Sequence, residues 1–235
     1  MCWVEKTVLI IMFFYLLLWL SESDSESDSE SDRNRESEAF TSNANLNTNL
    51  NKEKKTRVIC IGDSILNNAR YVGTNESVLD QLNKLDLEQL YTFVMLARDG
   101  ARLDDAFRQL DLCKNENGNW AKVYVVSIGG NDLLAEDMDP RELFQQYLKL
   151  MKYLRDRVSN DVRIFALGLY YPASKKRFFD RIKQWNAWLN ENADSNGYMV
   201  LNTDTVITGQ TDICYKIEPS AKGGKKIAQL ILNGI

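Results

Sequence analysis

The 235-residue chain contains no histidine. That removes the commonest general base of serine hydrolases and the imidazole donors on which most zinc sites rely. Its four cysteines, Cys2, Cys60, Cys113 and Cys214, show no C-x-x-C spacing, so a zinc ribbon or a dithiol redox motif does not fit and neither metal nor cofactor is expected. No apolar run reaches the roughly 20 residues of a spanning helix; the longest, Val8 to Leu20, has thirteen. Excess positive charge is missing too. The net charge is −4, and residues 21–40 alone carry −6 from eight acids and two bases, which leaves about +2 elsewhere. A nucleic-acid partner is not expected from that balance.

What is present divides the chain in three. Residues 1–20 hold the apolar run, interrupted on its N-terminal side by Glu5 and Lys6. A run of thirteen suits a signal-peptide core or a short signal-anchor better than a full span. Small-x-small cleavage residues are poorly supplied, since Trp19 and Leu20 stand at the expected positions and Ser21-x-Ser23 is the one fair candidate. An uncleaved signal-anchor is favoured over a cleaved signal, and a buried core helix is the remaining alternative. The expectation is a single-pass protein with its domain on the lumenal or extracellular side, or a secreted one if the segment is cut. Residues 21–55 follow, opening with "SESDSESDSESD" and continuing through the Asn-rich "TSNANLNTNLNKEKK". Such stretches bury nothing and read as a disordered linker.

Residues 56–235 read as the folded domain. "RVICIG" is a short β-branched run that ends in a turn. Strand-like and helical patterns then alternate five times. The strands are 91–97, 121–130, 162–171 and 198–203, and the helices 77–85, 102–112, 140–158, 175–193 and 220–234. Pro140 opens one of these helices as an N1 proline. In another, Trp185, Trp188 and Leu189 share a face, as a helix packed on a core requires. The alternation predicts an α/β architecture with three layers: a doubly wound, flavodoxin-like parallel sheet of five strands. Ligands in such sheets bind beyond the carboxyl ends of the strands.

Chemistry-bearing residues fall at those ends. Ser64 follows the first strand in "IGDS", Gly100 the second in "ARDGARLDD", and Asn131 the third in "SIGGND"; Glu218 stands before the last helix in "IEPSAKGGKKIA". The set, GDS in a first block, a lone Gly in a second, G-x-N-D in a third and a Pro-Ser block at the end, resembles the SGNH or GDSL-type hydrolases over residues 57–235. The resemblance implies Ser64 as nucleophile. It implies an oxyanion hole made by the Ser64 and Gly100 backbone N–H groups and the Asn131 side-chain amide. Taken alone, each residue also has a plain structural reading: Ser64 and Asn131 as helix caps, Gly100 as a turn.

The last block departs from the family's D-x-x-H-P-S, with Tyr215 where Asp belongs and Glu218 where His belongs. Asp212 lies three residues earlier and reaches only if the loop bulges. Together, "NARYVG", "SIGGND" and "IEPSAKGGKKIA" look like an SGNH subgroup that itself reads I-E-P-S. A free Glu is a weaker base than His by about two pKa units, or roughly 3 kcal/mol of driving force. Burial recovers this by raising the carboxyl, and Tyr215, Ile217 and Pro219 are expected to supply the apolar cover. A carboxylate has no tautomer to fix, so it needs no supporting Asp. The expectation is a Ser64–Glu218 dyad acting on an acyl ester of a small molecule, glycan or lipid. The alternatives are an inactive module that holds such an ester and a surface protein that merely reuses the fold. Lys216 and Lys222 are weak substitutes for the base, being protonated when exposed. Cys60 is read as a small buried hydrophobe, a Cys113–Cys214 disulfide is not expected, and Asn75 opens an N-x-S sequon that reads better as a turn before a helix.

Overall fold

A computed structural model describes residues 55–114 and 118–235. The expectations for the N-terminal apolar segment and the acidic linker lie outside the described residues. The described residues belong to one compact unit.

Five short strands make the main sheet: β1 (Thr56–Gly62), β2 (Tyr91–Met95), β3 (Val123–Ser127), β4 (Arg163–Leu167) and β5 (Met199–Leu201). Their order is β2-β1-β3-β4-β5 and every neighbouring pair is parallel. This is the flavodoxin-like order, in which the winding of the sheet reverses between β1 and β3 and opens a crevice at their carboxyl ends. β3 is buried at all five positions, and β1 from Val58 onward. A strand covered by helices on both faces needs such an unbroken apolar run.

The helices are α1 (Val78–Leu85), α2 (Leu103–Asp111), α3 (Gly130–Ala135), α4 (Pro140–Arg155), α5 (Phe179–Glu191), α6 (Ala193–Asn196) and α7 (Ala221–Gly234). Local chemistry starts each of the better-defined ones. Ser77 caps α1 in a reciprocal capping box with Asp80. Asp139 accepts from the Arg141 and Glu142 amides before the N1 proline of α4. Ser220 accepts from the Gly223 N–H at 3.1 Å at the head of α7. The sequon serine is therefore a helix cap, and Asn75 beside it is exposed with φ +64°.

Trp185, the largest fully buried side chain, anchors α5 against α4 through edge contacts with Phe144 and Tyr147. Trp188 packs partly buried beside it, with its ring 5.4 Å from that of Phe144. Cys60 is wholly buried in β1. The Cys113 thiol faces the Gln109 carbonyl, whereas Cys214 lies near the carbonyls of Tyr71 and Pro219; both are free thiols.

Two elements that the periodicity does not signal matter for the site. α3 is a six-residue helix directly after β3, and β6 (Ile213–Cys214) with β7 (Glu218–Pro219) forms a small antiparallel hairpin. Two glycines allow the turns nearby. A Cβ on Gly62 would stand 1.7 Å from the Ser127 carbonyl oxygen, and its φ is +136°. A Cβ on Gly129, with φ +105°, would stand 2.5 Å from the Trp185 ring. Gly62→Ala is expected to cost ~4 kcal/mol or more, among the largest single-residue effects, because a backbone carbonyl cannot move aside as a flexible side chain can. Thermal unfolding monitored by circular dichroism measures it.

Candidate active site

The GDS turn closes on itself. The Asp63 carboxylate accepts from the Ile65 N–H at 3.0 Å, and its carbonyl accepts from the Leu66 and Asn67 amides at 3.2 and 3.0 Å. The Asp63 N–H donates to the Ser127 carbonyl at 3.0 Å, which ties the turn to the end of β3. Ser64 therefore sits on a short, tightly bonded turn rather than at a helix cap, and its residue is buried.

Glu218 arrives from the other side as the first residue of β7, paired with Cys214 of β6. The Ser64 side chain stands close enough to the Glu218 carboxyl to lower its pKa. Both line one cavity of about 50 Å³ together with Asp63, Gly130 and Asn131. Its remaining wall is largely apolar, with Leu133, Leu169, Phe178 and Ile182. Burial raises the Glu218 carboxyl above its ordinary value and the Asp99 charge adds to this, while the Ser64 side chain pulls the other way. Asp63 is pushed further, to about 7, by its own burial, opposed by the Ile65 N–H and reinforced by the charges of Glu218 and Asp132. Two buried carboxyls thus face one small cavity, and each disfavours ionisation of the other.

Asn131 lies in the first turn of α3, behind the left-handed Gly129, and lines the cavity. One N–H of its amide donates to the Ala101 carbonyl at 2.9 Å, which orients the group and leaves the second N–H for another acceptor. Gly100 sits in the turn before α2 with φ +72°, where an added Cβ would meet nothing within 4 Å. Its glycine answers to backbone conformation rather than to packing. Among the described residues that line the cavity Gly100 does not figure, so Ser64, Asn131 and Glu218 share the pocket and Gly100 stands apart from its walls.

Two expectations about the last block need correction. Tyr215 does not cover Glu218: it is 72% exposed, with its ring 5.6 Å from that of Tyr71. The apolar cover comes instead from Ile217 and from Tyr170, whose hydroxyl donates to the Ile217 carbonyl at 2.5 Å. The Asp212 carboxylate, for its part, is committed elsewhere. It accepts from Lys226 Nζ at 2.7 Å and from the Thr208 and Gly209 amides, at the head of α7. Burial would raise Asp212, but these partners outweigh it and hold the carboxyl below its ordinary value. Its carbonyl fills the space where a Gly223 side chain would lie, 2.0 Å from the Cβ position, which fixes Asp212 against α7. Lys222 is drawn to the same group and to the Thr211 hydroxyl, and Lys216 lies in the hairpin turn.

Three buried amide side chains position the site, and no sequence pattern singled them out. Gln109 of α2 accepts from the Gly62 N–H at 2.7 Å and donates to the Gly62 carbonyl at 2.9 Å, clamping the residue before GDS. Asn186 of α5 makes the same double bond to Leu169, at 2.8 and 2.7 Å. Asn68 donates to the Pro219 carbonyl at 3.0 Å and accepts from the Val78 N–H at 2.8 Å, so the segment after Ser64 is bonded to the residue after Glu218. The one available sign was a polar residue on an otherwise apolar helical face, for Gln109 and Asn186. Asn68, in the "NN" of "GDSILNN", offered none.

Comparison with known proteins agrees with this layout. Residues 60–224 match the GDSL-like lipase/acylhydrolase family. Comparison with curated proteins gives no match. Among solved structures the chain is similar to a lipolytic protein of the G-D-S-L family from Veillonella parvula, at 15% identity and a TM-score of 0.63, covering 76% of this chain and 97% of that one. It is also similar to the psychrotrophic esterase EstA from a Pseudoalteromonas species, in a structure inhibited by monoethylphosphonate, at 17% identity and a TM-score of 0.59, covering 76% and 96%. At such identities the likeness concerns the fold. The family match spans most of the chain and the whole set of candidate residues, and the chain belongs to the GDSL-like lipase/acylhydrolase family.

Proposed function

We propose that the protein is an esterase that cleaves short acyl esters through a Ser64–Glu218 dyad. The observation that carries this is that Ser64 and a buried Glu218, whose carboxyl is raised by that burial, line one and the same cavity. Ser64 Oγ attacks the ester carbonyl carbon as its proton passes to Glu218. The C–O bond to the alcohol then breaks, and the Glu218 carboxylic acid protonates the departing oxygen. Water attacks the acyl-serine with Glu218 again taking a proton, and the acid leaves as Ser64 regains its hydrogen. Charge on the tetrahedral oxygen meets the Ser64 backbone N–H and the free Asn131 N–H. A raised carboxyl suits both halves of this cycle, since a base that is too acidic is a poor proton acceptor.

The cavity limits the acyl group. Its space is small, about 50 Å³, and its wall is largely apolar, so a short acyl chain is the better fit. Turnover of a nitrophenyl ester series is expected to be greatest for acetyl to butyryl and to fall at least ~10-fold by octanoyl, since overfilling a packed site is costly. Faster turnover of the octanoyl ester would contradict the assignment of the acyl group to this cavity.

A second reading has its own support. With Gly100 outside the cavity wall, the oxyanion donors are fewer than in the family pattern. On that reading the domain holds an acyl ester without cutting it, and binding measured by calorimetry persists with no product formed. The N-terminal run is proposed to tether or export the domain. Recovery of the full chain in the membrane pellet after carbonate washing supports the tether, and recovery in the medium supports export.

A further inference from the structure

Asp63 stands beside the nucleophile, and the dyad leaves it without a task. It is 2% exposed and lines the cavity. One carboxyl oxygen, Oδ1, accepts from the Ile65 N–H at 3.0 Å and so serves the turn. The other, Oδ2, has no hydrogen-bond partner among the described residues. It lies 3.7 Å from the position that a Cβ on Gly130 would take, and Gly130 lines the same cavity directly before Asn131. A buried polar oxygen of this kind calls for a partner, and the cavity is where one can enter. The groups that face Asp63 do not supply it. Glu218 comes from β7 and Asp132 from α3, and both are acids; the Tyr170 phenol, beyond β4, is committed to the Ile217 carbonyl. No Lys or Arg among the described residues pairs with Asp63. Two carboxyls at one small, largely apolar cavity resist ionising together, and a single shared proton is the state such a pair adopts. Asp63 is the more deeply buried of the two and is pushed up to about 7.

We propose that Asp63 is a further catalytic residue: it keeps its proton through the cycle and donates Oδ2–H to the ester carbonyl oxygen as that oxygen becomes negative. The inference rests on the esterase reading above and fills the place that Gly100 leaves open among the oxyanion donors. Before attack the cavity holds one negative charge, on Glu218. As Ser64 Oγ bonds to the carbonyl carbon, the serine proton neutralises Glu218 and the charge moves to the carbonyl oxygen, which Asp63 and Asn131 stabilise. The net charge in the cavity is unchanged by the step. An ionised Asp63 would raise it to two and would meet the new charge with a lone pair instead of a hydrogen. A carboxylic acid kept neutral by its surroundings is a competent donor of this kind.

The test compares the wild-type full chain with Asp63→Asn and Asp63→Ala on a short acyl ester from pH 5 to pH 9. The wild-type kcat is expected to fall at least ~10-fold from its maximum to pH 9, as Asp63 ionises. Asparagine still accepts from the Ile65 N–H and places an N–H where Oδ2–H stood, but it does not titrate. Its maximal kcat is expected to drop by less than ~10-fold and its alkaline limb to vanish, whereas Asp63→Ala should lose ~10²–10³-fold, the scale of one oxyanion donor. A wild-type rate that stays level to pH 9 overturns the proposal. So does an asparagine variant as slow as the alanine variant, since the carboxylate itself would then be what the site needs. Carboxyl-carbon NMR, with the Asp63 signal identified by its loss in Asp63→Asn, follows the proton without turnover. Its midpoint is expected at least ~2 pH units above the ordinary value of about 4. That result supports the neutral donor even if no ester is cleaved, in which case only the esterase reading fails. A midpoint at the ordinary value overturns the donor.

Discussion

Glu218→Gln is expected to lower kcat on a short acyl ester by ~10²–10⁴-fold, the range that general-base catalysis supplies. The replacement keeps the size of the side chain and its ability to accept a hydrogen bond from Ser64, so the loss reports proton transfer rather than packing. The wild-type rate should fall on the acid side, because protonated Glu218 cannot take the serine proton. Its carboxyl is raised by burial, with Asp99 adding and the Ser64 side chain opposing, so the acid limb is displaced upward from the ordinary carboxylate range. Asp63, held near 7 in the same cavity, is coupled to it. The limb accordingly belongs to the pair of carboxyls rather than to Glu218 alone. In Glu218→Gln the residual rate should lose the part of that limb that Glu218 supplies and keep at most a shallow one from Asp63. Initial rates from pH 4 to pH 9 check both parts. A variant with near wild-type kcat would remove Glu218 from the chemistry.

Ser64→Ala is expected to have the larger effect, ~10⁴-fold or more, since without the nucleophile only binding and the remaining oxyanion donors can act. Combining it with Glu218→Gln should add little, because two groups that act in one proton transfer are grossly non-additive. Rates for the two single variants and the double variant make a closed cycle. Multiplying losses would mean that the two residues act independently and that the dyad is not a unit.

Much of this architecture is legible in the residues. The buried β-branched runs of 57–61 and 123–127 and the amphipathic spacing of 140–155 force a doubly wound sheet, and topology then brings positions 64, 131 and 218 to one edge. Their meeting follows from strand order, which local patterns alone can imply. The hairpin of β6 and β7 was less accessible. Each strand has two residues, too short for any period to register, and the left-handed turn at Tyr215 and Lys216 contains no glycine to announce it. For that reason Tyr215 was expected over Glu218 and lies outside. Asp212 was misleading for a related reason: residue type suggested a supporting acid, while its partners, Lys226 and two backbone amides, belong to the packing of α7. The clamps made by Gln109, Asn186 and Asn68 are tertiary bonds between distant segments, and nothing in the spacing of neighbours encodes them.

A serine that loses its proton to a carboxylate, in a chain without histidine, is the claim on which the chemistry turns. Intact-mass analysis of the full chain after exposure to a fluorophosphonate probe tests it most directly. One adduct is expected, mapped to Ser64, absent from Ser64→Ala and formed at least ~100-fold more slowly in Glu218→Gln. A folded wild-type chain that stays unmodified, or one that is labelled just as fast without the Glu218 carboxylate, would contradict the dyad.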